Sequence, residues 1–203
     1  KTIGCLFTDV VNPLYANLFR AIEVRFRADG YMLLLANGLN DAGREVEALH
    51  MFESRGMDGM IIAPGNERLA SVADAVRAST VPTVVLDRDM DVARDTVLFD
   101  HVDGMRRAVG HLLSLGHRRI ALVLWRFSSR PVRRRVEGFR KAFRAARLPV
   151  PDLMLFEPTS TSSAFDDVDR LLKGRDRPTA IVAQGTQVLM SAVQAIRVNG
   201  LEI

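Results

Sequence analysis

Ile3-Gly4-Cys5-Leu6-Phe7-Thr8-Asp9-Val10-Val11-Asn12-Pro13 is the stretch that decides the fold. Its first five residues are apolar or small, too short a run for a helix, and stop at a polar loop, which reads as a buried strand. Asn12 then offers a side-chain cap and Pro13 fills the first helical position, where a missing N–H costs nothing. A strand entering a helix through a short polar loop opens a βαβ unit, and repeated units of that kind imply a parallel sheet. No Gly-x-Gly-x-x-Gly follows the strand, so the turn that cradles a dinucleotide is replaced by something else.

Outward from there the alternation continues. A helix is expected over 14–28, closed by Asp29-Gly30, then a buried strand over 31–35. A helix over 45–54 and a turn over 55–59 lead to a strand over 60–63, stopped by Pro64-Gly65. A helix over 69–78 and a strand over 82–86 complete the first half. The second half repeats the logic, with helices over 102–115, 132–146, 165–172 and 188–198 and strands over 120–124, near 153–156 and over 180–183. Two α/β lobes in tandem are expected, 1–100 and 101–203, linked near 97–101. No long Gly/Ser/Pro linker separates them, which predicts that they pack together around a cleft. Ligands in open α/β sheets bind at the carboxyl ends of strands, so the loops after Phe7, Leu86, Leu124 and Ala183 are the places to search.

Composition limits the alternatives. The chain has 203 residues, 48% hydrophobic and 26% charged, as expected of a globular protein. No apolar run reaches the roughly 18 residues of a membrane span, and no signal pattern opens the sequence. The net charge of +4 is small for a nucleic-acid-binding domain. The single cysteine, Cys5, lies within the first apolar run and reads as buried and inert.

Catalytic constellations are missing from the pattern. The histidines His50, His101, His111 and His117 lack the i, i+4 spacing of a zinc site and have no companion cysteine pair. There is no Gly-x-Ser-x-Gly elbow and no phosphate loop. Asp166, Asp167 and Asp169 are the densest acids, and at a helix start they favour its dipole. No metal, cofactor or enzymatic role is therefore expected. The residues that could bind are polar or aromatic groups at strand ends. Tyr15 falls in the first turn of the first helix, and Asp87-Arg88 places an acceptor beside a fork of donors. In Arg130-Pro131-Val132-Arg133-Arg134-Arg135 most of the charge reads as a solvated helix face, with one arginine free to clamp a carboxylate or a hydroxyl pair.

Taken in order, a series of segments resembles the effector-binding domain of the lac repressor/Gal repressor family of bacterial transcription regulators. They are Ile3 to Pro13, Gly30 to Asn37, Arg55 to Pro64, Val84 to Arg88, Phe99-Asp100, His111 to Ala121, Arg135 to Arg140 and Pro178 to Ile181. Leu115-Gly116-His117-Arg118-Arg119-Ile120-Ala121 in particular looks like the regulators more than their exported relatives. The resemblance implies a periplasmic-binding-protein-like (type I) fold of two Rossmann-like lobes with parallel sheets. It implies a small effector, a sugar or related molecule, bound between the lobes and changing the DNA affinity of a helix-turn-helix that Lys1-Thr2 does not include. It further implies a cytoplasmic homodimer with no membrane association. The alternatives are an exported sugar-binding protein of a transporter and an enzyme on a similar doubly wound fold.

Carried over by position, Leu14 and Tyr15 resemble residues that border the ligand from the first lobe, and Asp87 and Arg88 resemble the polar pair after that lobe's last parallel strand. Arg135, three residues before Gly138, looks like the family arginine that reaches the effector. Trp125 stands in a strand-end loop where the family usually has small residues. The family's Asn-Asp is replaced by Gly185-Thr186, which removes an amide and a carboxylate that often bind sugar hydroxyls. The sequence also ends at Ile203, where the family continues with further strands, so an incomplete second lobe is expected.

Overall fold

A computed structural model describes residues 1–125, 129–152 and 164–203, and the backbone alone of 154–157. The chain divides into two compact units, which are taken separately. Residues 1–99 with 129–131 form the first, and residues 100–125, 132–152, 154–157 and 164–203 form the second.

In the first unit β1 (Thr2–Phe7), α1 (Pro13–Ala28), β2 (Met32–Asn37), α2 (Ala42–Ser54), β3 (Gly59–Ala63), α3 (Ala70–Ala78), β4 (Thr83–Leu86) and β5 (Asp95–Val97) follow one another. All pairings are parallel, in the order β2-β1-β3-β4-β5. Side chains alternate across a strand, and β1 uses both faces. Ile3, Cys5 and Phe7 turn to α1, where Tyr15, Leu18, Phe19, Ile22 and Phe26 form a helical stripe. Leu6 joins Ile62, Val85, Leu49, Phe52, Val72 and Val76 beneath α2 and α3. Gly4 also faces that side, and a Cβ there would stand 2.6 Å from the Phe52 ring. Cys5 is buried as the sequence suggested, and burial pushes its thiol up to about 12.

The expected helix start is realised in detail: the Asn12 side chain accepts from Leu14 N at 3.0 Å, with Pro13 next. The second helix begins three residues earlier than periodicity suggested, because Asp41 caps it by accepting from Arg44 N at 2.8 Å. At its other end Glu53 gathers the start of the next turn. It accepts from the Ser79 hydroxyl, from Thr80 Oγ1 at 2.6 Å and from Thr80 N at 3.1 Å. The Ser79 hydroxyl, then that of Thr80, holds the Glu53 carboxyl at about 2, below the 4.5 it would have unfolded. A depressed carboxyl contributes stability above its unfolded value and loses it as pH falls through the folded one. The urea midpoint of the wild type should therefore exceed that of Glu53→Gln at pH 6, and the difference should shrink between pH 4.5 and 2. A pH-independent difference would refute this role.

The second unit contains α4 (His101–Ser114), β6 (Ile120–Trp125), α5 (Arg130–Ala145, less Arg130 and Pro131), β7 (Met154–Glu157), α6 (Ala164–Lys173), β8 (Ala180–Ala183) and α7 (Thr186–Val198). Its sheet is again parallel, in the order β7-β6-β8. Ile120, Leu122 and Leu124 pack on Met105, Val109, Phe139 and Phe143 of α4 and α5. Val123 faces Val168, Leu172, Val188 and Ala192 of α6 and α7. Leu153, which the sequence placed in the strand near 153–156, lies outside the described residues. Asp166 and Asp167 sit in the first turn of α6 as expected, whereas Asp169 bonds Lys173 at 2.7 Å and Asn199 at 2.7 Å, tying α6 to α7.

Candidate functional site

In the first unit the strand order turns back on itself between β1 and β3, and loops leaving the two strands there diverge to open a crevice. Three of the four non-glycine residues with positive φ among the described residues, Leu39, Asn40 and Asp87, also lie beyond the carboxyl ends of strands in this unit. Backbone held in the left-handed region costs energy and collects where the surrounding structure enforces it, often at sites.

Arg88 is the centre of this region. It is 5% exposed and is met by groups from the ends of three strands and the head of α1. Its Nε donates to the Pro64 carbonyl after β3, and its Nη1 donates to the Asp87 carbonyl at 3.0 Å. Its Nη2 reaches Thr8 Oγ1 after β1 and Tyr15 Oη at the head of α1, both at 3.1 Å. Glu67, whose side chain is fully buried, stands 3.4 Å from Nε. A second buried carboxylate, Glu45, accepts from Gly65 N at 2.6 Å. Burial pushes the Glu45 carboxyl above the usual range, opposed by the Gly65 N–H and the Arg88 charge. Gly38 and Gly65 make room for it, since a Cβ at either would come within 3.3 Å of the Glu45 carboxylate.

Asp87 is buried with φ of 52°, and its carboxylate accepts from Arg130 Nη1 at 2.7 Å. Arg130 also donates to the Phe99 carbonyl at 3.0 Å and places Nε 3.1 Å from Asp89. Within the basic run Arg130 thus holds two of the chain's own carboxylates, Asp87 and Asp89, and Arg134 pairs with Glu137 at 3.0 Å. Tyr15 stacks on Phe7 with centroids 5.1 Å apart and planes 16° apart, which fixes its ring.

Of the residues singled out in sequence, Tyr15 and Arg88 are joined by a hydrogen bond, and Asp87 adjoins them through the backbone. Leu14 is 54% exposed on α1 and takes no part in the cluster. In the second unit, Trp125 is the last residue of β6 rather than part of a loop. It packs half-buried against the α6–α7 core, and its N–H donates to Gln184 Oε1 at 3.1 Å. Gly185 caps α7 with no side-chain bond, and Thr186 begins that helix exposed. Arg135 is half-buried on α5. Thr8, Glu67 and Gln184 were missed, and Arg130 was named only as a member of its basic run. Thr8 and Gln184 directly follow strands, which was signal enough; nothing local marked Glu67 as buried.

Among the described residues no cluster of His, Cys, Asp or Glu could hold a metal ion, and no helix is long and apolar enough to cross a membrane.

The family model described as periplasmic binding proteins and sugar binding domain of the LacI family matches residues 1–203. The HTH-type transcriptional regulator DegA of Bacillus subtilis (strain 168) is 29% identical over 205 residues, covering 99% of this chain and 60% of DegA. The chain thus spans about 60% of the length of that relative. A LacI family transcriptional regulator from Enterococcus faecium, solved with bound ribose, superposes with a TM-score of 0.83 at 28% identity, covering all of this chain and 74% of that one. The dimeric lac repressor with an 11-residue C-terminal deletion superposes with a TM-score of 0.87 at 25% identity, over all of this chain and 75% of the repressor.

Proposed function

The chain belongs to the family of periplasmic binding proteins and LacI-type sugar-binding domains, and from that premise we propose that it is the effector-sensing domain of a bacterial transcription regulator. It binds a small polar molecule, a sugar or a close relative, and performs no catalysis. The observation that carries this reading is the cluster of oriented polar groups on strained backbone at the strand ends of the first unit, with Tyr15 and Asp87 foremost. Leu14 borders it. Trp125, Arg135, Gly185 and Thr186 are the contacts assigned to the second unit, at strand ends and on α5.

A regulator is favoured over a transporter's binding protein because DegA, which matches nearly the whole chain, is a transcriptional regulator. The effector acts on DNA affinity by binding two states of the domain unequally, which is all that allosteric coupling requires. The DNA is held by a helix-turn-helix outside these 203 residues, and the protein works in the cytoplasm. Exposed apolar side chains on α1 and on the edge strand β2, Val24 and Met32 among them, support a homodimer.

A ligand selective for the folded state raises the melting temperature by mass action. Screened against neutral sugars, sugar acids and nucleobases, the domain should show a concentration-dependent rise with one class, reduced in Arg135→Ala without loss of the unliganded melting temperature. No rise with any class would refute the sensor reading, and a lower unliganded melting temperature would make Arg135 structural.

A further inference from the structure

A guanidinium has five donors and no acceptor, so every oxygen it meets must accept. Thr8 Oγ1 and Tyr15 Oη both accept from Nη2 of Arg88. Thr8 uses its own proton on the Ala63 carbonyl at 2.6 Å, which leaves this oxygen with only a lone pair to offer. Tyr15 donates to no described residue, so its remaining capacity is its O–H. Stacking on Phe7 sets the ring plane and with it the position of that proton. Both oxygens lie 3.1 Å from one nitrogen and are therefore within about 6 Å of each other.

The geometry points to Arg88 as a positioning residue that fixes the hydrogen-bond polarity of the first unit's binding surface, making Tyr15 a donor and Thr8 an acceptor without itself touching the ligand. The assignment rests on the effector-binding reading above and narrows the ligand to a neutral polyol. Neighbouring hydroxyls can accept from Tyr15 and donate to Thr8 together. A carboxylate satisfies Tyr15 but sets an unprotonated oxygen against the lone pair of Thr8, an unpaired contact that costs affinity.

Calorimetric titration of the 203-residue chain with D-ribose and with D-ribonate tests this, using wild type, Tyr15→Phe, Thr8→Val, Arg88→Lys and the Arg88→Lys/Tyr15→Phe double variant, each checked for folding by circular dichroism. Ribose should bind in preference to ribonate. Tyr15→Phe and Thr8→Val should each weaken ribose about tenfold, the loss of one hydrogen bond. Arg88→Lys should weaken it as well, and the double variant should be no weaker than the worse of its two parents, because Arg88 acts through Tyr15 and Thr8. Additive losses in the double variant would show that Arg88 touches the ligand. Equal or tighter ribonate binding, or unchanged binding by both Tyr15→Phe and Thr8→Val, would also overturn the assignment while leaving the sensor reading intact. If neither compound binds the wild type, this inference fails, and the screen of sugars, sugar acids and nucleobases above decides the sensor reading separately.

Discussion

Arg88→Ala should cost about 3–5 kcal/mol of folding stability, the range for removing one partner of a buried ion pair. The guanidinium is a cation beside Glu67, whose side chain is fully buried, and it lowers the cost of burying Glu45 as well. Without it Glu67 loses a buried cationic neighbour, and the Pro64 carbonyl, Thr8 and Tyr15 lose a shared donor. Urea denaturation should show the loss as a lower midpoint. The cause is distinguishable: if the pair acts through charge, the loss in Arg88→Ala/Glu67→Ala should be smaller than the sum of the two single losses. Additive losses would mean that the cluster is held by packing and not by charge.

The second large effect lies in the other unit. Gly138 sits in α5 against α4, and a Cβ there would stand 2.5 Å from the Val102 carbonyl oxygen and 2.9 Å from Met105 Cβ. Neither obstacle is the end of a flexible side chain, so the helices must separate. Overpacking of this kind costs about 1–3 kcal/mol, more than the ~1 kcal/mol that alanine gains over glycine in a helix. Gly138→Ala should lower the melting temperature of the chain. Gly104 in α4 has open space around its α-carbon, so Gly104→Ala should raise it. Opposite signs for the same chemical change would confirm that the approach of α4 to α5 at Gly138 is what matters. Equal signs would refute it.

The alternation of short apolar runs with helical stripes made the two α/β units readable, because β1 buries both faces and must therefore be apolar throughout. Capping chemistry placed the start of α1 at Asn12-Pro13. The segment from Leu115 to Ala121, which carried much of the family likeness, turns out to be a clasp: Gly116 takes φ of 92° after α4, and Arg118 donates to the Leu113 carbonyl at 2.9 Å. His117 Nδ1 lies 2.9 Å from Thr179 Oγ1. Its residue types are demanded by helix termination and strand docking, so it reports the fold and says nothing of the ligand.

The site was legible only in outline. Strand ends could be located from the apolar runs, which is how Tyr15, Asp87 and Arg88 were found. What a side chain does there depends on partners distant in sequence. Arg88 reads in isolation as a ligand clamp, but its bonds reach back 80 residues to Thr8 and 73 to Tyr15. Arg130 was one of several arginines in a basic run, and only the fold brings it to Asp87, 43 residues away.

The central claim is that a small polyol binds at the strand ends of the first unit. Amide ¹H–¹⁵N spectra of the chain recorded during a titration with D-ribose test it most directly, since they need no assumption about which residues respond. Shifts that saturate and concentrate at Thr8, at Asn12 to Tyr15, around Gly65 and at Asp87-Arg88 are the predicted result. Saturating shifts confined to other surfaces, or a spectrum that ribose leaves unchanged, would contradict it.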